Sequence, residues 1–101
     1  MAAPSFDPVI HAPARLQICA ILAAVDEAEF ALLREETGVS DSVLSKHLKQ
    51  LEEAGYLKVR KATVASRQRT WLSLTGAGRR AFAAHVQALT QLAGVAARAA
   101  E

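Results

Sequence analysis

The sequence predicts an α+β domain that is mostly α: three short helices, a β-hairpin and one long final helix. Three observations carry the prediction. Leu44, Leu48 and Leu51 recur at i, i+4 and i+7 behind Ser40, the spacing of one buried helical face. Two extended segments, 56–61 and 69–74, flank a polar, basic stretch at 62–68, the pattern of a hairpin. From Phe82, apolar residues step by four and three through Val86, Leu89, Ala93 and Ala96, a heptad-like seam.

With 101 residues, 51% of them hydrophobic, the chain reads as a single domain, 1–101, with a real but small core. No apolar run approaches the ~20 residues of a bilayer span. Residues 1–8 hold Pro4 and Pro8 and little periodicity, which predicts a loose N-terminal arm. They lack the basic-then-apolar layout of a secretory signal. Cys19 is the single cysteine, which fits a reducing cytoplasm. The residue itself reads as a small buried hydrophobe.

In chain order, the first helix is predicted over 14–24, opened by Pro13, whose missing N–H costs nothing there. Ile18, Ile21, Leu22 and Val25 form its apolar stripe. Residues 28–30 read as a short strand. A second helix follows over 31–37, with Leu32 and Leu33 toward the core and Gly38 ending it. Ser40 caps the third helix, Asp41 suits the positive end of its dipole, and Gly55 stops it. In the second extended segment Leu72 and Leu74 share one face and Trp71 takes the other. Trp71 reads as packing under the hairpin, a subunit contact or a wall of a ligand site. No Asn-Gly marks the turn, so its type stays open. Thr75 caps the last helix, 76–100, with Leu92 and Val95 on the flank of the seam.

Net charge is only +2, but it is polarised. Lys58, Arg60, Lys61, Arg67, Arg69, Arg79 and Arg80 share a stretch free of acidic residues. Asp26, Glu27, Glu29, Glu35 and Glu36 surround Arg34 alone. Such a pattern points to an anion-facing surface; the plain alternative is solvated loops.

The tight turn at Val39-Ser40, between a short helix and a longer one, is the spacing of a helix-turn-helix. Opposite the leucine stripe lie Asp41, Ser42, Ser45, Lys46 and Lys49, beside the capping Ser40. Short hydroxyls allow close approach to base edges, and lysines neutralise phosphates. A solvated amphipathic helix is the alternative. In the hairpin, Arg67 is the candidate for a narrow minor groove. Lys58, Arg60, Lys61 and Arg69 suit phosphates.

Catalysis finds little support. Ser45 and His47 are two residues apart, about 200° around a helix, so they cannot pair as nucleophile and base. His11, His47 and His85 are scattered and Cys19 has no cysteine partner, so no metal or cofactor is expected within one chain.

The run from Phe30 to Tyr56, with its core Leu-Ser-Lys-His-Leu-Lys-Gln-Leu-Glu-Glu-Ala-Gly-Tyr, resembles the bacterial winged helix-turn-helix regulators of the MarR-like and ArsR-like group. Leu74-Thr75-Gly-Ala-Gly-Arg79 resembles their junction between wing and last helix, and Arg15-Leu16 their first helix. The resemblance covers residues 9–89. It implies a winged helix-turn-helix with a three-helix core, a β-hairpin wing and a long C-terminal dimerisation helix. It further implies a cytoplasmic homodimer that binds double-stranded DNA and regulates transcription, as a repressor on inverted half-sites. The expected interface is Leu16, Phe82, Val86, Leu89, Leu92, Ala93 and Ala96. The chain leaves little room for an effector pocket. The alternative function is a winged helix that docks protein rather than DNA.

Overall fold

The computed structural model describes residues 6–100. Its elements are α1 (Pro8–His11), α2 (Pro13–Ala23), β1 (Ala28–Glu29), α3 (Phe30–Thr37), α4 (Asp41–Glu53), β2 (Leu57–Val64), β3 (Arg67–Leu74) and α5 (Gly76–Ala99). The helices gather around Ile10, Ile18, Cys19, Leu22, Leu33, Leu44 and Leu51, and Leu57, Leu72 and Leu74 close the core from the sheet. No helix among the described residues is long and apolar enough to cross a membrane.

Residues 1–5 of the expected loose arm lie outside the described residues, but from Phe6 onward the chain is tied down. The Asp7 carboxylate accepts the Val9 N–H at 2.9 Å and so caps α1. Ile10 is fully buried. The expectation of looseness fails at Pro8, which opens this extra helix, because a proline is as much a helix starter as a loop residue.

α2 ends at Ala23, with Ala24 as its cap, so Val25 lies beyond the helix and is 38% exposed rather than part of the stripe. Arg79, reaching back from α5, donates to the carbonyls of Ala23 at 3.3 Å and Val25 at 2.9 Å. It thus satisfies groups that a helix end leaves orphaned. In α3 only Leu33 is buried; Leu32, a 100° step around the helix, is 40% exposed. Gly38 sits at φ +70°, a left-handed stop that non-glycine residues adopt at a cost. Ser40 Oγ accepts the Val43 N–H at 3.3 Å, and Leu44, Leu48 and Leu51 seat α4.

The three strands pair antiparallel in the order β1-β3-β2, with Arg60 opposite Trp71 and Lys61 opposite Thr70. The hairpin is longer and tighter than the expected loop at 62–68. Pairing continues to Val64–Arg67, helped by the β-branched Thr63 and Val64. Only Ala65 and Ser66 turn, at φ +50° and +65°, the left-handed pair of a type I′ hairpin.

Thr75 caps α5 by accepting the Gly78 N–H at 3.0 Å, and its hydroxyl donates to the Gly55 carbonyl at 2.6 Å. Gly78, His85 and Ala88 form the buried side of α5, and Ala81 and Phe82 pack against the core nearby. A 24-residue helix is about 36 Å long, too long for so small a domain to cover. The radius of gyration, 15.6 Å, exceeds the ~13 Å of a compact 100-residue chain, because the end of α5 stands away from the rest.

Candidate nucleic-acid interface

Seating Leu44, Leu48 and Leu51 in the core turns Ser42, Ser45, Lys46 and Lys49 outward, all exposed. Ser45 and Lys49 line a groove of about 290 Å³ with Lys61 and Thr70 of the hairpin, over a floor that includes Phe30, Leu48 and Leu72. Glu52 closes one part of it. Two strands of sequence, some twelve or more residues apart, thus present hydroxyl and ammonium groups to one concave surface. A second groove, about 430 Å³, runs between α3 and the hairpin and is lined by Arg34, Arg67, Gln68 and Arg69 with Glu29. It carries the hairpin's cations around to the start of α3.

The hairpin cations do not form one set, because strand alternation sends neighbours to opposite faces. Lys61 shares the side of Val59 and Leu72, toward α4. Lys58 and Arg60 alternate with it and lie on the other face, with Trp71. Arg60 Nη2 donates to Glu27 at 2.6 Å, and its guanidinium stands 5.5 Å from the centre of the half-buried Trp71 ring. Arg69 Nη1 donates to Glu29 at 2.9 Å. Arg60 and Arg69, expected with Lys58 and Lys61 as phosphate contacts, are thus ion-paired in the single chain with the acidic stretch before α3. Arg67, beside the turn, has no ion pair among the described residues.

Asp41, expected on the DNA-facing side of α4, is likewise ion-paired. Its carboxylate takes the Arg34 guanidinium at 3.1 Å and 3.4 Å. Arg34, absent from the residues expected at the site, lines the second groove and holds Asp41. Its isolation among acidic neighbours, seven residues before an aspartate across a tight turn, was the available signal. Ser40 is spent on capping and on a 3.3 Å hydroxyl contact with Ser42. His47 turns the other way: its Nδ1 accepts from Arg15 at 3.1 Å, between α4 and α2.

The sequence of this arrangement matches the winged helix DNA-binding domain family over residues 14–93, most of the chain. The chain belongs to that family. The winged helix is 32% identical over 84 residues to the uncharacterized protein MJ0432 of Methanocaldococcus jannaschii, covering 83% of this chain and 91% of that one. Its fold resembles a transcriptional regulator homologue from Pyrococcus horikoshii, with TM-score 0.79, 24% identity and 85% of each chain covered. It also resembles ZitR of Lactococcus lactis, a zinc-responsive MarR family member, with TM-score 0.62, 26% identity, and 91% of this chain and 65% of that one covered. In this winged helix α3 and α4 are the helix-turn-helix, β2 and β3 the wing.

Two residues expected at a subunit seam, Leu16 and Phe82, are half-buried and pack against the winged helix's own core. His85 and Ala88, which a hydrophobic count does not single out, are with Gly78 the residues that α5 turns inward, and Leu89 of the expected seam is half-buried. Further along the same helix Val86, Leu92, Ala93, Val95 and Ala96 stay exposed.

Proposed function

We propose that the protein is a homodimeric, sequence-specific transcriptional regulator, a repressor, that binds an inverted-repeat operator. The observation carrying this reading is the shared groove: Ser45 and Lys49 of α4 and Lys61 of the wing face one concavity. With Ser42 and Lys46 they make a polar, cationic surface on a helix of major-groove dimensions. Arg67 extends it toward the neighbouring groove or backbone, while Arg60 and Arg69 buttress the wing against Glu27 and Glu29. Dimerisation runs through the free length of α5, where Val86, Leu92 and Val95 are 40%, 48% and 47% exposed in the single chain. Val86 shares one side of the helix with Leu89, Ala93 and Ala96, and Leu92 and Val95 lie on its flank; exposed apolar groups gathered in this way suit a partner surface. Two-fold pairing then sets the recognition helices about one DNA turn, ~10 bp, apart.

The test is enrichment of random duplexes by the purified protein, with sedimentation in parallel. Recovery of a palindrome whose affinity falls steeply with salt supports the reading. Absence of any enriched sequence, with salt-insensitive capture of protein instead, would leave the wing as a protein-docking module.

A further inference from the structure

On the side of the molecule away from the wing, His85 is the buried polar residue of α5, only 1% exposed, and both its ring nitrogens are engaged. Nδ1 accepts the backbone N–H of Asp7 at 3.2 Å, and Nε2 lies 3.1 Å from His11 Nδ1. Because Nδ1 accepts, the neutral ring carries its proton on Nε2 and donates it to His11. Phe6 stacks on His11, 4.9 Å between centres, and meets His85 edge-on at 5.4 Å. The Asp7 carboxylate holds the Val9 N–H and, at 2.5 Å, the Tyr56 hydroxyl. One imidazole pair therefore joins the N-terminal segment, α1 and the root of α5.

We propose that the His11–His85 pair is a proton-released latch: neutral, it fastens the segment from Phe6 through α1 to α5, and proton uptake by His85 opens it. The bonding pattern accommodates only one proton between the facing nitrogens. A proton added to His85 lands on Nδ1, head-on to the Asp7 N–H. That removes an acceptor and leaves two donors facing each other at a ring that is only 1% exposed.

The groups around the pair set the sign. Burial, and next the charge of His11, hold His85 below its ordinary value of 6.5, while Asp7 opposes them. From α2, Cys19 lies buried near Asp7, and Arg15 is spent on the Val9 and Pro8 carbonyls and on His47. On α5 Arg79 is bonded to α2, and the ionisable residues of β3, Arg67 and Arg69, lie at the wing end. A base whose folded value is depressed contributes fully above its unfolded value and loses that contribution as pH falls. The latch is closed above about 6.5 and opens below it.

The consequence for DNA binding rests on the dimer proposed above: Val86, the first exposed apolar residue of α5's outer face, adjoins His85, so the latch sets how that helix is seated. The latch itself is tested without DNA, which keeps the two readings separable. In ¹⁵N NMR of the full chain at pH 7.5 and 5.5, the amide protection factor of Asp7 falls at least tenfold at the lower pH, in step with titration of the His85 ring. Amides of α4 and β3 keep theirs. His85→Gln, whose amide mimics both imidazole contacts without titrating, removes the pH dependence. Should that variant fail to fold, the surface variant His11→Gln raises the midpoint of Asp7 release by deleting a like charge. Unchanged Asp7 protection at pH 5.5, loss in concert with α4 and β3, or an unmoved midpoint in His11→Gln overturns the proposal.

Discussion

Arg34 Nη1 lies 3.1 Å from Asp41 Oδ1, across the turn that joins α3 to α4. The pair ties the first turn of the recognition helix to the helix before it, and it puts a carboxylate on the side of the molecule offered to a polyanion. Both side chains are about half exposed, 46% and 64%, so the pair adds little to stability. Asp41→Asn is expected to change unfolding free energy by less than about 1 kcal/mol. It frees Arg34 and removes a negative charge, so duplex affinity rises and the salt slope steepens by up to about 1. Fluorescence anisotropy over a salt series reads both; a weaker Asn variant with altered base preference would make Asp41 a base reader instead.

Ion pairing predicts unequal effects of removing cations from this surface: Arg67 is unpaired among the described residues, while Arg60 is held by Glu27. Lys46→Ala and Arg67→Ala each weaken operator binding by roughly 1–3 kcal/mol where they touch bases, and by less where they touch phosphate. Arg60→Ala, on the Trp71 face and held by Glu27, leaves affinity within about 0.5 kcal/mol. Titration of a labelled operator settles the contrast. If the Lys46→Ala, Arg67→Ala double variant bound as tightly as the parent, the assigned face would be wrong.

Charges placed on the free face of α5 are expected to separate subunits without unfolding them. Leu92→Asp combined with Val95→Asp weakens self-association at least a hundredfold, about 3 kcal/mol, while helical circular dichroism persists. Sedimentation equilibrium checks this. A parent protein that sediments as a monomer at high concentration would remove the dimer from the proposed function.

Gly78 and Gly76 make an internal control. A Cβ at Gly78 would lie 2.2 Å from the Tyr56 carbonyl oxygen, a backbone atom that cannot step aside. At Gly76 it would lie 3.2 Å from the tip of the Arg80 side chain, which can. Gly78→Ala is therefore expected to destabilise by roughly 1–3 kcal/mol or more through overpacking. Gly76→Ala changes stability by less than about 1 kcal/mol. Urea unfolding compares them, and equal effects would contradict the close approach of α5 to the β2 entry.

Cys19 is fully buried, and burial first, then the Asp7 charge, pushes its thiol up to about 11. The thiolate is the reactive form, so alkylation by iodoacetamide at pH 8 is expected to be slower than that of an unfolded control by about a hundredfold or more. Fast labelling of the folded protein would place the residue at the surface.

Much of this architecture could be read before folding because its signals are local. The leucines of α4, the capping hydroxyls of Ser40 and Thr75, and the glycine stop at Gly38 each act within a turn or two of chain. The winged helix followed from them in order. The extra helix at Pro8 and the two-residue turn at Ala65-Ser66 were not legible. Proline starts helices as well as loops, and neither Ala nor Ser announces a left-handed turn; the pairing of flanking strands imposes it.

What the sequence determined by itself was therefore the set of elements and the chemistry available on each: which helix carries hydroxyls and lysines, where the cations cluster, which helix outruns its domain. The tertiary structure alone decided how those groups were spent. Glu27, Glu29 and Asp41 engage Arg60, Arg69 and Arg34, and His85 rather than Val86 faces the core. The reason is physical. A partner 7 to 40 residues away is chosen by how helices and strands pack, and a single residue's rotation of a helix or strand moves a side chain from solvent to core.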